Sequence, residues 1–217
     1  MRTKTAASSR RGFGRTLVSK DQRNLIVVGH GRGATSFASA WLIHNGIQAK
    51  HETMGRDGIV DSGLSVPTYP IRNGLCEGLT RNAFEFENKL TVVRNPWKTI
   101  ATYYAVEHPD AIWLHKEYIE LDDAADALEA ICLSVVRWTQ CALDFTNNDY
   151  LRAEEWNTDA PTWLRFHRFP NRDWRPVPRD TINHRAGDRL SREEIVARIS
   201  PRVAQEVKEF AESLGYV

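Results

Sequence analysis

Residues 25–42, LIVVGHGRGATSFASAWL, decide the fold of this 217-residue chain. The first four residues, Leu25–Val28, are apolar and mostly β-branched, and they predict a short buried strand. The next stretch predicts a tight loop marked by three glycines, Gly29, Gly31 and Gly33. The pattern from Thr35 onward predicts a helix. A strand, a glycine loop and a helix in this order indicate an α/β protein, in which backbone N–H groups and a helix N-terminus point at one anion.

This loop differs from the nucleotide-binding loop G-x-x-x-x-G-K-[ST] of ATPases and GTPases. Gly29 matches the first glycine, but Ala34 replaces the second glycine and Thr35 replaces the lysine. That lysine would contact the β- and γ-phosphates of a nucleoside triphosphate. Here the cation is Arg32, inside the loop, and hydroxyl groups follow at Thr35 and Ser36. The loop therefore predicts an anion site of a different kind.

The segment Arg32–Ser36 resembles the 5′-phosphosulfate loop of sulfotransferases, whose usual form is Lys/Arg-Ser-Gly-Thr-Thr/Ser. In that family the donor is 3′-phosphoadenosine 5′-phosphosulfate (PAPS). Gly33 replaces the usual serine, and Ala34 replaces the usual glycine. The resemblance implies that Arg32 is catalytic, because it would neutralise charge on the leaving phosphate. It also implies a set of residues that hold the 5′-phosphosulfate: Gly31, Arg32, Gly33, Ala34, Thr35 and Ser36.

Phe37 takes the place of an aromatic residue that stacks on the adenine in cytosolic sulfotransferases. Packing in the hydrophobic core is an equally good interpretation of this phenylalanine.

A second motif follows a strand predicted at Leu90–Val93. Arg94-Asn95-Pro96 is similar to the 3′-phosphate motif of sulfotransferases, Arg-(Asn/Asp)-Pro followed by serine eight residues after the arginine. Thr102 stands at that eighth position. Pro96 favours the first turn of a helix, so that Arg94 leaves the strand end and Thr102 lies on the helix. The resemblance implies that Arg94 and Thr102 contact the 3′-phosphate of PAPS. The strand lacks the terminal aspartate that holds magnesium in P-loop NTPases, which counts against ATP hydrolysis.

Two candidate bases lie on a second strand predicted at Ile47–Met54. Because ligand-facing groups gather at the carboxyl ends of strands in α/β sheets, His51 and Glu52 should lie beside the glycine loop. Either side chain could accept a proton from a hydroxyl group. Residues 51–58 also resemble a His-Glu…Asp-Gly segment of several bacterial sulfotransferases, some of which use this glutamate as the base. We expect Glu52, or alternatively His51, to be the base; a surface salt bridge is the competing interpretation.

The basic residues are concentrated at the N-terminus. Residues 1–24 contain seven Lys/Arg and one acidic residue, whereas residues 25–217 carry a net charge of −5. We expect residues 1–24 to form a flexible basic arm, either simply solvated or in contact with an acidic partner. Residues 25–217 are enough for one α/β domain. Its longest helical periodicity covers Leu121–Phe145, and a further helix is predicted from Ser191.

Composition narrows the class of protein. A hydrophobic content of 41% and a charged content of 26% are typical of soluble globular proteins. No apolar run approaches the roughly 20 residues of a membrane span. The three cysteines show no metal-ligand spacing, which favours reduced thiols in the cytoplasm and no metal site.

A stretch rich in arginine and aromatic residues lies between Arg165 and Arg192. Such interleaving can bind single-stranded nucleic acid, cap an adenine nucleotide or grip an anionic glycan. Within it, residues 183–188 resemble a late loop that closes on the 3′-phosphate in cytosolic sulfotransferases. That resemblance implies a contact between Arg185 and the donor.

The sequence thus predicts a three-layer α/β/α domain with a short parallel sheet, P-loop NTPase-like and of the sulfotransferase type. The implied reaction is metal-independent transfer of sulfate from PAPS to a hydroxyl acceptor, a carbohydrate or a small metabolite. The loops 61–88 and 103–120 should shape the acceptor pocket. We expect neither a membrane nor a nucleic acid as partner. The alternatives are a P-loop kinase of a nucleotide or metabolite, and a non-catalytic module that binds an anion or nucleic acid.

Overall fold

A parallel sheet organises the computed structural model, which describes residues 21–106, 112–169, 173–178 and 189–217. Its five strands lie in the order β2-β3-β1-β4-β5, and all neighbours are parallel. The strands are β1 (Asp21–Val28), β2 (Ala49–His51), β3 (Gly58–Val60), β4 (Phe84–Val93) and β5 (Tyr150–Arg152). Two sequence predictions lie outside the described residues, namely most of the N-terminal arm and the contact of Arg185.

Seven α-helices are present in the described ranges. They are α1 (Thr35–His44), α2 (Pro96–Val106), α3 (Ile112–Lys116), α4 (Ala127–Phe145), α5 (Trp156–Phe166), α6 (Arg192–Val196) and α7 (Pro201–Ser213). None of them has the length and apolar character that a bilayer span requires.

Helices cover both faces of the sheet. Leu25 and Val27 of β1 pack in a core that includes Trp41 of α1 and Trp156 of α5. Ile26 and Val28 face the opposite side, toward a cluster that includes a residue of α4. All four strand residues have no solvent exposure, as expected for a parallel strand buried on both faces. The α/β class is therefore confirmed, and the architecture is compatible with a Rossmann-like or a P-loop-like fold.

The strands differ from the prediction in their limits. β1 begins at Asp21, so the last four residues of the predicted arm belong to the sheet, and 21–23 pair with β4. β4 begins at Phe84, inside a stretch that was predicted as loop because of its glycines and prolines. The predicted second strand is reduced to Ala49–His51, and the unpredicted β3 pairs with it after a short connection. Gly58 opens β3 because a Cβ there would lie 1.8 Å from the Leu25 carbonyl oxygen.

Two helix limits were also wrong. The helix predicted from Leu121 begins only at Ala127, since the Asp126 side chain accepts a hydrogen bond from the Glu129 N–H at 2.9 Å and caps the helix there. The C-terminal helix is divided into α6 and α7. Ser191 and Ser200 each cap the helix that follows.

We predict that Trp156→Ala lowers the free energy of unfolding by about 3–5 kcal/mol, because Trp156 is fully buried and its removal leaves a cavity in the core. Phe166→Ala on the same helix is the control, with an expected change of about 0.5 kcal/mol or less, since this ring is 83% exposed. Urea denaturation measures both. Equal losses in the two variants would contradict the assignment of this core.

Candidate active site

The candidate site is a cavity of about 270 Å³ at the carboxyl ends of β1, β2 and β3. In the strand order, the chain leaves β1 toward β2 on one side and leaves the neighbouring β4 toward β5 on the other side. Ligands of open α/β sheets bind where two neighbouring strands lead in opposite directions in this way. Six residues predicted from the sequence line the cavity: Gly31, Arg32, Thr35, Ser36, His51 and Glu52. The loops expected to shape the acceptor pocket contribute further residues, among them Asp61, Tyr69, Arg72, Tyr103 and His115.

The glycine loop is held close to the sheet. A Cβ on Gly29 would lie 2.5 Å from the Val92 carbonyl oxygen, so no larger residue fits without movement. The loop then passes through two left-handed residues, Arg32 with φ 75° and Ala34 with φ 79°. A left-handed conformation is costly for any residue with a Cβ. The loop therefore keeps the shape of a glycine-rich turn although alanine occupies the second glycine position.

The backbone donors of the loop are not all directed at a ligand. The Gly33 N–H, predicted to contact the phosphosulfate, donates to the His30 carbonyl oxygen at 2.7 Å. The helix α1 starts at Thr35 without a side-chain cap. The first N–H groups of an α-helix have no carbonyl partner within the helix. The structure thus favours the N–H groups of Thr35 and Ser36 over that of Gly33 as anion donors.

Arg94 and Thr102 lie together beside this loop. Nη1 of Arg94 is 3.3 Å from Oγ1 of Thr102 and 3.4 Å from the carbonyl oxygen of Arg32. Pro96 opens α2, which carries Thr102 toward the arginine, as the spacing predicted. The end of β4 and the first turns of α2 therefore bring the second motif against the first.

His51 faces the start of α1. Its Nε2 lies 3.2 Å from the hydroxyl oxygens of both Thr35 and Ser36. Burial lowers the pKa of His51, and the neighbouring Glu52, 3.8 Å from Nδ1, only partly opposes this. A neutral imidazole can accept a hydrogen bond from a hydroxyl group. His51 is thus in contact with the loop, whereas half of the Glu52 side chain is exposed at the cavity.

Phe37 does not line this cavity. Its ring is 6% exposed and belongs to the same core cluster as Trp41 and Leu42. Its position in the structure agrees with core packing, one of the two interpretations of this residue.

Asp61 is a cavity residue that the sequence analysis missed. It follows β3 directly and is 4% exposed, and its carboxylate accepts hydrogen bonds from the N–H groups of Gly63 (2.7 Å) and Leu64 (3.4 Å). Burial raises the pKa of Asp61 to about 6, although these hydrogen bonds act to lower it. The rule that polar groups at strand ends face the ligand would have found it, had β3 been predicted.

Two histidines behind and beside the cavity were also missed. His30 is 2% exposed, and burial together with the nearby His115 lowers its pKa to about 3. Ser134 of α4 lies between the two rings, 3.3 Å from Nε2 of His30 and 2.5 Å from Nδ1 of His115. His30 was visible inside the glycine loop. The meeting of Ser134 with both histidines has no signature in the sequence.

Comparisons of the chain with models of protein families, with curated proteins and with solved structures found no significant match. The geometry of this site and its two motifs therefore carry the evidence on function.

We predict that Ala34→Gly raises the free energy of unfolding by about 1 kcal/mol, because glycine adopts the left-handed conformation without a Cβ clash. The matched control is Ala38→Gly in the interior of α1, which should destabilise by about 1 kcal/mol or more. Thermal and urea denaturation distinguish the two signs. A loss of stability in Ala34→Gly would show that the loop is not strained at this residue.

We predict that Asp61→Asn stabilises the protein by about 2 kcal/mol above roughly pH 7. The folded-state pKa of about 6 is higher than the ordinary aspartate value, so the folded protein favours the neutral carboxyl group. The stability of the wild type should therefore fall as the pH rises through about 6, whereas asparagine stays neutral. Urea denaturation across this range should show an advantage for Asp61→Asn that shrinks toward about pH 4. Asp144→Asn at an exposed site of α4 is the control. A constant difference across the range would refute the raised pKa.

Proposed function

We propose that this protein transfers the sulfuryl group of PAPS to a hydroxyl group of a small acceptor, a carbohydrate or another polar metabolite. One observation carries the proposal: Nη1 of Arg94 lies within 3.4 Å of both Thr102 Oγ1 and the carbonyl oxygen of Arg32. Two motifs that stand 62 residues apart are thereby joined at one point of the sheet.

The arrangement suits a donor with two separate anionic groups. The N–H groups of Thr35 and Ser36 and the guanidinium of Arg32 would hold the 5′-phosphosulfate. Arg94 would donate hydrogen bonds to the 3′-phosphate, since a guanidinium is a good partner for a phosphate dianion. Thr102 would join it by turning its hydroxyl hydrogen from the Lys98 carbonyl oxygen, to which it donates at 2.7 Å, toward the phosphate. ATP carries no 3′-phosphate, so this pair would favour PAPS over ATP.

In the proposed reaction the acceptor oxygen bonds to sulfur while the bond between sulfur and the 5′-phosphate oxygen breaks. The electron pair of that bond leaves with adenosine 3′,5′-bisphosphate (PAP), and Arg32 would stabilise the negative charge that grows there. The acceptor proton passes to a base in the cavity, for which the sequence motif suggests Glu52 or His51.

Asp61 gives specific support to a second candidate, a magnesium-dependent kinase. Its carboxylate follows β3, which is the neighbour of β1, and it lines the same cavity as Ser36. A carboxylate and a loop hydroxyl hold magnesium in P-loop NTPases. We rank this candidate second because Thr35 stands at the lysine position and because it gives no role to Arg94 with Thr102.

We predict that PAP stabilises the wild type in a thermal-shift assay more than AMP does at the same concentration. Saturation at about 100 times the dissociation constant should add roughly 2.7 kcal/mol. Arg94→Ala should lower PAP affinity by about 10- to 100-fold and abolish the preference for PAP over AMP, because it removes a charged hydrogen-bond donor. Arg198→Ala, at an exposed position after α6, is the control and should bind PAP normally.

The same assay with Mg-ATP separates the candidates. Stabilisation by Mg-ATP but not by PAP would support the kinase, and loss of that effect in Asp61→Asn would assign the metal contact. Stabilisation by neither nucleotide would overturn both enzymatic proposals. Consumption of PAPS in the presence of sugars and small alcohols then tests the transfer itself.

A further inference from the structure

A chain of hydrogen bonds runs from the glycine loop through α4 to the cavity. It starts at the Gly31 carbonyl oxygen, 2.5 Å from Nδ1 of His30. It continues through Ser134 to His115, and Nε2 of His115 lies 3.4 Å from the Tyr103 hydroxyl. His115 and Tyr103 both line the cavity. The chain thus joins the loop backbone to two side chains that a ligand can reach.

The direction of the first two hydrogen bonds follows from the chemistry of their atoms. A carbonyl oxygen only accepts, so Nδ1 of His30 must carry the hydrogen that it donates to Gly31. The pKa of His30, lowered to about 3 by burial, keeps this ring neutral near pH 7. A neutral imidazole has a single N–H, so Nε2 of His30 must accept, and the donor to it is the Ser134 hydroxyl.

The direction of the remaining bonds follows in turn. Ser134 has used its one hydrogen, so its oxygen accepts from Nδ1 of His115 at 2.5 Å. When the His115 ring carries a single hydrogen, that hydrogen is on Nδ1, so Nε2 presents a lone pair toward the Tyr103 hydroxyl. The His115 ring also contacts the Trp138 ring, with 4.4 Å between the centroids, which fixes its plane.

We infer that His115 is the proton acceptor of this cavity, and that Ser134 and His30 are positioning residues that hold it as the Nδ1–H tautomer. The inference rests on the proposed function for the identity of the proton donor, the hydroxyl group that is sulfated. As that oxygen bonds to sulfur, its proton moves to Nε2 of His115, and PAP leaves with the electrons of the broken S–O bond. His51 is less suited, since the hydroxyls at its Nε2 belong to Thr35 and Ser36, in the loop proposed to hold the 5′-phosphosulfate, whereas Nε2 of His115 faces the Tyr103 hydroxyl at the cavity.

The tautomer can be measured without any ligand, by NMR of the ring nitrogens in the full-length protein labelled with ¹⁵N-histidine. His115→Gln assigns the signal of His115. We expect a protonated Nδ1 and an unprotonated Nε2 in the wild type near neutral pH. Ser134→Ala should release His115 into a mixture of tautomers. Ser213→Ala, which removes a hydroxyl on α7 that donates to the Phe210 carbonyl, should change nothing.

Either of two results would overturn the inference: a hydrogen on Nε2 of His115 in the wild type, or an unchanged tautomer in Ser134→Ala. Both readouts are independent of PAPS. Failure of PAP binding would therefore refute the proposed sulfotransferase activity, whereas the tautomer measurement would still test His115 as the base of the cavity.

Turnover of PAPS with glycerol as the probe acceptor tests the catalytic role. His115→Gln should lower the rate by about 10²–10⁴-fold with unchanged PAP affinity, which also shows that the variant is folded. Added imidazole should partly restore turnover to His115→Ala, an effect that a structural role would not produce. His44→Gln at the exposed end of α1 is the control. An unchanged rate in His115→Gln would refute the role of His115 and leave the donor site intact.

Discussion

The rest of the structure depends on the burial of β1 at the centre of the sheet. Leu25–Val28 have no solvent exposure, and the strand is hydrogen-bonded to β3 on one side and β4 on the other. A strand held on both edges and both faces cannot shift its register without moving every apolar side chain to the wrong face. The loop after Val28 consequently leaves the sheet at a fixed point. The close approach of Gly29 to Val92 holds the loop against β4, the strand that directly precedes Arg94.

The cavity above β1 combines side chains of opposite charge, and burial shifts the pKa of one group in the cavity and of one behind it. Arg32 and Arg72 supply cations, and Glu52 supplies a carboxylate at the edge. Behind the cavity, burial lowers the pKa of His30 to about 3, so this ring is neutral near pH 7; in the cavity, burial raises the pKa of Asp61 to about 6, so this carboxyl group is neutral only below about that pH. A polar cavity of this composition suits a small ligand with hydroxyl groups better than a large apolar one.

Local patterns predicted the centre of the fold well because they are set by short stretches of sequence. The strand before Gly29, the helix from Thr35 and the proline start of α2 all follow from neighbouring residues, and so does the spacing of Arg94 and Thr102. The edges of elements were less predictable. β3 is three residues long, and its formation depends on how closely Gly58 approaches β1. Asp61 was not predicted as a site residue for the same reason, because it directly follows β3.

Contacts between distant parts of the chain were beyond sequence reasoning. Ser134 meets His30 across 104 residues, and nothing in the periodicity of α4 distinguishes this serine from others that simply fill a helix face. The hydrogen bond from the Gly33 N–H to the His30 carbonyl oxygen likewise depends on the left-handed backbone of Arg32 and Ala34. Neither residue is a glycine, so nothing in the sequence indicated this conformation. The roles of these groups come from tertiary structure alone.

The short outer strands also bear on self-association. β2 and β5 border the sheet and are three residues long each. A sheet recruits a second chain through the unpaired backbone groups of its edge strands, and short edges offer few of them. Within the described residues, β2 and β5 themselves each offer only three residues for strand pairing with another copy. On the β5 side, however, β5 pairs with only the last three of the ten residues of β4, so the longer strand β4, rather than β5, determines the extent of that edge.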